Sequence, residues 1–453
     1  MFDFKNMSFD ELLKPDGYDC TCGRHHATGV KYLKIGRGAV KAIPEMLAAL
    51  RVSHPFVVCD PNTYKAAGEQ VVQILKAAGI PYALYVFGHD HPVLPSEREL
   101  GILAMRFDHQ CDVVLGVGSG VINDLCKMLG WIAKRPCAIV GTAPSMDGYA
   151  SNSSAMELEG VKLTIYNNGP EGVICDTEIM AQAPMRMLRA GFGDMIAKYI
   201  SICEWRIANL VTGEYYCEAI ADMMRTAVSK IMASVDGILA RDPDAVGYVA
   251  EGLVLSGLAM AYANVSRPAS GIEHRFSHIW EMINIARGRT LELHGIQVGV
   301  GTMLTLELYE YIKRIKPDLT HAKAAIAAFD NTAWEAKIRR IFGAVADEIF
   351  ASVKKSRQND SEIRLAHAEY ICAHWNDILA IIQAELPDID TIYEAAKKLG
   401  MPVRPGEIGI SAEDTMDALV CTQDIRDRYI CTSLLFDLGL LDDAAIFFKK
   451  FLN

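Results

Sequence analysis

Short apolar runs alternate with amphipathic stretches from about Tyr32 to Pro184. The runs have strand length, and the stretches between them repeat apolar residues with a helical period. This alternation predicts a parallel α/β sheet with right-handed crossovers. We predict strands at residues 55–60, 81–87, 111–117 and 136–141, and helices at 64–78, 97–110 and 121–133.

The pattern changes after Pro184, where strand-like runs nearly disappear and helical periodicity continues to the C-terminus. Residues 161–166 and 172–175, separated by Asn167-Asn-Gly-Pro-Glu, are predicted to form a hairpin at the end of the α/β domain. The predicted fold is therefore an N-terminal, Rossmann-like α/β domain followed by an all-helical domain. We assign an N-terminal extension to residues 1–31, the α/β domain to 32–186 and the helical domain to 187–453.

Composition restricts the class of protein. The chain has 453 residues, 51% of them hydrophobic and 22% charged, which suits a soluble two-domain enzyme. The net charge of −11 is spread along the chain, which argues against a nucleic-acid partner. No run of 18 apolar residues and no signal-peptide pattern occurs, so we expect a cytoplasmic protein without membrane insertion. In that reducing compartment the 12 cysteines are expected to be buried small hydrophobes.

One group of cysteines stands apart, in Cys20-Thr-Cys22-Gly-Arg-His25-His26. Cysteine and histidine in this proximity can bind zinc. However, structural zinc sites usually space their cysteines by two to four residues and add a second ligand pair further on. We therefore expect a structural or incidental role here and leave the segment out of the active site.

A glycine-rich turn, Gly116-Val-Gly118-Ser119-Gly120, joins a predicted strand directly to a helix. Exposed amides and the helix dipole favour a pyrophosphate at such a turn, although a tight packing turn explains the glycines equally well. Asp60 ends an earlier strand, where a carboxylate can bind the adenosine ribose and repel a 2′-phosphate. Thr142-Ala-Pro-Ser145 follows the next strand at the same sheet edge. Together these features favour NAD(H) over NADP(H).

Three histidines fall within 21 residues, and His274 and His278 share one face of a helix because they are four residues apart. His294 follows one loop later. Histidines bound to backbone carbonyls in the core would give the same pattern. Asp194 follows Gly191-Phe-Gly193 at the start of an apolar helix, either as a helix cap or as the carboxylate partner of a metal site. Two histidines and one carboxylate are a common ligand set for a catalytic metal with open positions.

Two further charged residues have alternative interpretations. Asp147 lies in Ser145-Met-Asp-Gly148, where it either forms a turn or contacts substrate at the sheet edge. Lys198 lies one helical turn after Asp194, where it either pairs with that carboxylate or meets an anionic substrate.

These motifs, taken in order, resemble the sn-glycerol-1-phosphate dehydrogenase family of the iron-containing alcohol dehydrogenase and dehydroquinate synthase superfamily. The resemblance covers about Tyr32 to Leu441 and is greatest to the bacterial branch associated with arabinose operons. It is carried by the glycine turn and by four further segments: 142–151, 191–198, 273–281 and 294–299.

The resemblance implies a role for each matching residue. Asp194, His274 and His294 would bind one divalent metal. Asp147, Asp194 and His278 would contact substrate, with Asp147 and His278 as candidates for proton transfer or substrate anchoring. The nucleotide would contact Asp60, Gly118, Ser119, Gly120, Val121, Ile122, Thr142, Ala143, Pro144, Ser145 and Ser151.

The implied reaction is the reversible NAD(P)H-linked reduction of dihydroxyacetone phosphate to sn-glycerol 1-phosphate, in a dehydroquinate synthase-like fold. Iron-dependent relatives have a further histidine ligand at the position of Lys198, so we expect zinc first, with nickel or iron as alternatives. Glycerol dehydrogenase, a reductase of another small polyol phosphate, and a non-catalytic nucleotide-binding regulator remain alternative functions. Candidates for the substrate phosphate are Lys198, Arg275, Arg426 and Arg428, and the resemblance implies a homodimer.

Overall fold

The computed structural model describes residues 4–88, 92–159 and 161–452. The chain forms two compact units. Unit 1 comprises Met1–Met195 and Cys217–Ala269, and unit 2 comprises Ile196–Tyr216 and Ser270–Asn453.

In the described part of the chain, all strands belong to unit 1. They are β1 (Tyr18–Asp19), β2 (His25–His26), β3 (Tyr32–Gly36), β4 (Pro55–Cys59), β5 (Ala83–Val86), β6 (Val113–Gly118), β7 (Cys137–Gly141), β8 (Ser153–Leu158), β9 (Val161–Tyr166) and β10 (Gly172–Asp176). Among these residues, six strands form one parallel sheet in the order β3-β10-β7-β6-β4-β5. The predicted parallel α/β sheet is confirmed. Every residue of β4, β6, β7 and β10 is buried, as expected for strands covered on both faces.

The predicted hairpin of residues 161–166 and 172–175 is wrong. β9 pairs instead with β8, antiparallel, with Ser153 opposite Tyr166. β10 enters the main sheet between β3 and β7. The reason is burial: Gly172–Asp176 is a continuous buried run that needs cover on both faces, whereas β8 alternates half-buried and buried residues like a two-stranded ribbon.

The helices from the N-terminus to Ala263 are α1 (Phe9–Leu12), α2 (Ile43–Leu50), α3 (Pro61–Thr63), α4 (Glu69–Ala77), α5 (Glu97–Arg106), α6 (Gly120–Ala133), α7 (Thr177–Ala181), α8 (Met185–Thr212), α9 (Glu218–Ala233), α10 (Val235–Leu239) and α11 (Pro243–Ala263). A π-helical stretch, Tyr64–Gly68, joins α3 to α4. One face of the sheet packs on α2 and α4, where Leu47 and Val71 meet Val57 and Leu115 in a single apolar cluster. The helices predicted at 64–78 and 121–133 are confirmed, with Tyr64–Gly68 in π-helical form, whereas the one predicted at 97–110 ends at Arg106.

The division into units differs from the predicted boundary near residue 186, since residues 217–269 belong to unit 1. Glycines on α11 explain why this helix packs closely against the N-terminal part of unit 1. A Cβ at Gly257 would lie 3.0 Å from backbone atoms of Ala150, and one at Gly247 would lie 3.0 Å from Thr177. Such close approach keeps α11 against the α/β unit. The N-terminal residues predicted as an extension are also part of unit 1, where β1 and β2 form a small antiparallel ribbon.

Unit 2 is helical throughout its described residues, as the sequence predicts for this half. It contains α12 (Ile272–Ala286), α13 (His294–Ile312), α14 (Leu319–Ala327), α15 (Asn331–Phe342), α16 (Ala346–Ser356), α17 (Ser361–Ala373), α18 (Trp375–Glu385), α19 (Ile389–Leu399), α20 (Ala412–Cys421), α21 (Cys431–Asp437) and α22 (Leu441–Phe448). Aspartates cap α14, α15, α17 and α19 at their N-termini. α12 and α13 pack closely because a Cβ at Gly301 would lie 2.6 Å from the Glu273 carbonyl oxygen.

Among the described residues, one helix, α11, is long and apolar enough by composition to cross a membrane, with mean hydropathy 1.4. However, 78% of its most apolar window is buried inside the protein. Burial of that extent is typical of a core helix in a globular unit.

Candidate dinucleotide and metal site

The sheet of unit 1 has a switch point between β4 and β6. β5 lies on one side of β4 and β6 lies on the other, so the connections leave in opposite directions there. In open α/β sheets, ligands bind beyond the carboxyl ends of the strands at such a point. Asp60 directly follows β4, and Ser119 directly follows β6. The two parts of the predicted nucleotide site therefore flank one switch point.

The glycine turn is built for close packing. A Cβ at Gly118 would lie 2.5 Å from the Ile122 side chain, and one at Gly116 would lie 2.9 Å from Cys126 Sγ. Gly120 begins the 14-residue helix α6, and the first amides and the dipole of such a helix favour an anion at its N-terminus. A larger residue at Gly116 or Gly118 would disrupt this packing. The turn with glycine at both positions fits a pyrophosphate.

Residues 142–145 lie beside this turn. The Thr142 amide donates to the Gly118 carbonyl at 3.0 Å, and the hydroxyls of Ser119 and Ser145 are 2.6 Å apart. The structure thus brings together the two predicted nucleotide segments, Gly118–Ile122 and Thr142–Ser145.

The two carboxylate oxygens of Asp60 can accept hydrogen bonds from different partners. Its Oδ1 accepts hydrogen bonds from the amides of Asn62 and Thr63, both at 2.8 Å, and so caps α3. Within the described residues its Oδ2 accepts no hydrogen bond, which leaves that oxygen for a ribose hydroxyl. The capping role was not anticipated from the sequence.

Lys127 was missed by sequence reasoning. Its side chain is fully buried, and its Nζ donates to the Gly148 carbonyl at 3.1 Å and to the Ser153 carbonyl, beside Asp124 at 3.1 Å. It also donates to Ser151 Oγ at 3.3 Å. Ser151 is 3% exposed and lies inside this network, so its predicted nucleotide contact stays a prediction. A lysine within the apolar run Leu125–Leu129 was the available sequence signal.

The Asp147 backbone is linked to the Asp194 carboxylate in unit 1. Asp194, in α8, accepts a hydrogen bond from the Asp147 amide to its Oδ2 at 3.0 Å. Ser256, in α11, donates to Asp147 Oδ2 at 2.8 Å and was also missed. Asp194 is fully buried. Since Asp194 lies ten residues into α8, it is not the N-cap that the sequence left open.

Position 191, three residues before Asp194, has no space for a side chain. A Cβ at Gly191 would lie only 1.9 Å from the Pro144 carbonyl oxygen. The residue therefore lets α8 approach the 142–145 segment. Lys198, four residues after Asp194 in the same helix, belongs to unit 2 and is 1% exposed.

The three histidines come together in unit 2. The ring centroids of His274 and His294 are 5.3 Å apart, those of His278 and His294 are 5.8 Å apart, and those of His274 and His278 are 6.5 Å apart. The cluster combines α12 with the first residue of α13. The three histidines therefore form one cluster instead of three separate residues of the core.

A carboxylate orients the His274 ring, and a hydroxyl contacts the His294 ring. Glu273 Oε1 accepts a hydrogen bond from His274 Nδ1 at 2.8 Å. His294 Nδ1 lies 3.2 Å from Ser277 Oγ and 3.7 Å from Glu281 Oε1. Because the Glu273 carboxylate can only accept, the proton of His274 is on Nδ1 and its Nε2 carries the lone pair, the arrangement typical of metal-binding histidines. The donor set of unit 2 therefore fits a divalent metal.

A buried scaffold holds the start of α12. Glu273 Oε1 also accepts from the Gly271 amide at 2.7 Å. Glu204, a carboxylate in the apolar part of α8, accepts from the amides of Ile272 and Cys431 at 2.9 and 2.8 Å. Both carboxylates are almost fully buried. They satisfy amides that the helix itself leaves unpaired, and so fix the position of His274.

His278 differs from the other two histidines. Burial lowers its pKa to about 3, with Arg426 and His294 adding to the effect and Glu281 opposing it. Its Nε2 lies 3.5 Å from the Arg426 guanidinium. A neutral imidazole beside a guanidinium is better suited to hydrogen bonding than to carrying a proton.

Arg275 is not available to a substrate phosphate. Its guanidinium donates to the carbonyls of Thr422 at 2.7 Å, Arg426 at 3.2 Å and Arg428 at 3.1 Å. It is 3% exposed. Its role is to hold the 422–428 segment against α12.

The chain is similar to several known proteins. Residues 34–184 match the family model described as iron-containing alcohol dehydrogenase. The chain is 36% identical over 301 residues to glycerol-1-phosphate dehydrogenase (NAD(P)+) of Halalkalibacterium halodurans, covering 66% of this chain and 75% of that one. It is 28% identical over 426 residues to the enzyme of the same name from Bacillus licheniformis, covering 93% of each chain. The fold is similar to that of glycerol dehydrogenase from Schizosaccharomyces pombe, with TM-score 0.62, 16% identity, and coverage of 93% of this chain and 90% of that one.

A Rossmann-like unit with a glycine turn and a helical unit with oriented histidines define an NAD(P)-dependent dehydrogenase of the metal-containing alcohol dehydrogenase class. The likeness to the solved structure shows only the fold, because its identity is low. The sequence relatives are more specific. The chain belongs to the glycerol-1-phosphate dehydrogenase family.

Proposed function

We propose that this chain catalyses the reversible, NAD(P)H-linked reduction of dihydroxyacetone phosphate to sn-glycerol 1-phosphate. The observation that carries the proposal is its membership of the glycerol-1-phosphate dehydrogenase family. The nucleotide turn of unit 1 and the oriented histidines of unit 2 agree with the cofactors such a reaction needs.

The metal ligands we propose are Asp194, His274 and His294. Support comes from the Nδ1 contact of His274 with Glu273, which leaves its Nε2 to the ion, from the position of His294 beside it, and from the buried carboxylate of Asp194. A divalent ion at these ligands would polarise the substrate's ketone oxygen and stabilise the charge that develops on it. Lys198 stands where iron-dependent relatives have a fourth ligand, so we propose zinc, with nickel or iron as the alternatives.

The nucleotide is proposed to lie across Gly118–Ile122 and Thr142–Ser145. Asp60 Oδ2 would accept a hydrogen bond from the adenosine ribose and would repel a 2′-phosphate. We therefore propose NADH as the preferred cofactor.

The substrate is proposed to meet Asp147, Asp194 and His278. As a neutral imidazole, His278 would anchor a substrate hydroxyl by hydrogen bonding. Arg426 is the proposed phosphate contact, because its guanidinium lies 3.5 Å from His278 Nε2 whereas that of Arg275 is occupied by backbone carbonyls. A planar guanidinium suits two phosphate oxygens.

The test compares two ketones and one variant. The purified protein should oxidise NADH with dihydroxyacetone phosphate much faster than with dihydroxyacetone, and elemental analysis should find a divalent metal. His294→Ala should lose that metal and its turnover together, whereas His109→Ala, at an exposed histidine of unit 1, should keep both. Faster reduction of the unphosphorylated ketone would favour glycerol dehydrogenase activity. No turnover of either ketone would favour the non-catalytic regulator.

The homodimer and the cytoplasmic location stay predictions. Size-exclusion chromatography with light scattering measures the first.

A further inference from the structure

A group of four side chains in unit 1 lies outside the dinucleotide and metal site. Cys20, Cys22 and His26 come from the N-terminal ribbon, and Cys217 precedes α9. One atom of each, three Sγ atoms and one imidazole nitrogen, lies within 4.8 Å of all the others. We call this group the Cys3His cluster. Sequence reasoning lacked its fourth member, which lies 191 residues beyond His26.

The distances within the Cys3His cluster match tetrahedral coordination. Cys20 Sγ and Cys217 Sγ are 3.7 Å apart. His26 Nε2 lies 3.3 Å from Cys22 Sγ and 3.6 Å from Cys217 Sγ. With Zn–S about 2.3 Å and Zn–N about 2.0 Å, tetrahedral ligands lie about 3.8 Å apart for two sulfurs and about 3.5 Å for sulfur and nitrogen. Three of the six separations are thus close to those of a tetrahedral zinc site, and the other three are within 4.8 Å.

The histidine is held in the tautomer that a metal needs. His26 Nδ1 lies 2.8 Å from the Tyr262 carbonyl oxygen, which can only accept, so Nδ1 carries the proton and donates. The Nε2 lone pair then points to the thiols, as in zinc sites where a carbonyl holds the second ring nitrogen. His26 and Cys217 are fully buried. The Tyr262 ring stacks on Phe4 at 4.8 Å and lies 6.2 Å from the His26 ring.

We propose that the Cys3His cluster binds one structural zinc ion. Three thiolates and one imidazole are a standard closed ligand set for structural zinc. The set is complete with four protein ligands, so it offers no open position for substrate. A disulfide between Cys20 and Cys217 is the competing outcome, but it would leave Cys22 and His26 without a role and is disfavoured in a reducing compartment.

The zinc ion would fasten the N-terminal segment to two helices of unit 1. Other contacts follow the same path: Tyr262, in α11, donates from its hydroxyl to the Leu12 carbonyl, and Arg24 donates to the Ala263 carbonyl at 3.4 Å. Residues 20–26 and 217 are far apart in the chain, so the ion would close a long loop. Binding energy at such a site contributes to folding. This proposal is independent of the proposed reaction.

The test counts zinc in five proteins purified under reducing conditions: the wild type, Cys22→Ser, His294→Ala, the Cys22→Ser/His294→Ala double variant and the control Cys372→Ser. We expect Cys22→Ser to lose one zinc equivalent per chain whether or not His294 is present. Cys372→Ser, a half-buried cysteine of α17 outside the cluster, is the matched control and should lose none. The thermal unfolding midpoint should fall in Cys22→Ser and stay unchanged in the control.

Two measurements on the wild type keep the proposal falsifiable if a variant does not fold. X-ray absorption at the zinc edge should resolve sulfur neighbours at about 2.3 Å. Replacement of zinc by Co²⁺ should give the sulfur-to-cobalt charge-transfer band of a thiolate site, and this band should persist in His294→Ala. Absence of sulfur neighbours, equal zinc in Cys22→Ser and wild type, or a Cys20–Cys217 disulfide in the protein purified under reducing conditions would each overturn it.

Discussion

Gly191 gives the sharpest test of how unit 1 positions its site. In Gly191→Ala the new Cβ would lie 1.9 Å from the Pro144 carbonyl oxygen. A Cβ atom closer than 3.0 Å to another heavy atom forces one of the two groups to move. The obstacle is backbone on one side and the Val249 side chain, at 2.9 Å, on the other. No flexible side-chain end can move aside, so the 142–145 segment or α8 must move.

The size of the effect follows from that overlap. The missing distance to 3.0 Å is 1.1 Å, and it falls on the segment proposed to hold the nucleotide. A displacement of about 1 Å at a reacting centre can cost about 100-fold in rate. Overpacking also lowers the free energy of unfolding, typically by about 1–3 kcal/mol. We therefore expect kcat/KM for dihydroxyacetone phosphate to fall about 10- to 100-fold in a folded protein.

The control is Gly101→Ala in α5, because a Cβ there would meet nothing within 4 Å. This variant should keep full activity and gain up to about 1 kcal/mol, since alanine is the better helix former. The assays are steady-state kinetics, NADH affinity by fluorescence titration, and urea unfolding. If Gly191→Ala kept wild-type kcat/KM and NADH affinity, the 142–145 segment would not be held by α8 in the way described.

Two further predictions concern buried charges. Lys127→Met leaves the Asp124 carboxylate and two carbonyls without their cation. Removing one partner of a buried ion pair typically lowers the free energy of unfolding by about 3–5 kcal/mol. Urea unfolding measures this loss, and an unchanged midpoint would contradict the prediction. Asp414 is buried, which raises its pKa, but hydrogen bonds from Ser411 and from Arg287 and Arg289 outweigh burial, so its pKa is below the ordinary value. That carboxylate stabilises the fold above its unfolded pKa of about 3.9, and the contribution is lost as pH falls through the lower folded pKa. Asp414→Asn should therefore be less stable than wild type at pH 7, and the two should converge in acid; an equal deficit at every pH would refute this.

The strands could be predicted because parallel strands covered on both faces are continuous apolar runs. Pro55–Cys59 and Cys137–Gly141 have this form and fold as expected. Gly172–Asp176 is also a continuous apolar run. The prediction that this segment pairs with residues 161–166 overlooked that pattern. The alternating residues of β8 lie in a segment rich in serine and were not recognised as a strand.

The site was predictable where its residues are near in sequence. His274 and His278 share a helix face, and His294 follows one loop later, so their clustering follows from local geometry. Distant partners were not predictable. Cys217 is a single cysteine in its segment, and Ser256 is a single serine in an apolar helix. Nothing local distinguishes either from a core residue, because each meets its partner only through the folding of unit 1.

The start of α8 explains how unit 1 can couple its proposed nucleotide loop to Asp194. Gly191 and Asp194 are three residues apart and therefore share one face of the helix. On that face, Gly191 admits the Pro144 carbonyl and Asp194 accepts the Asp147 amide at 3.0 Å. The loop of residues 144–147 is thus fixed at both ends by one rigid element, with Ser256 of α11 holding the Asp147 side chain. Because a helix cannot move one of these contacts without the other, displacement of the loop should change nucleotide affinity and metal affinity together.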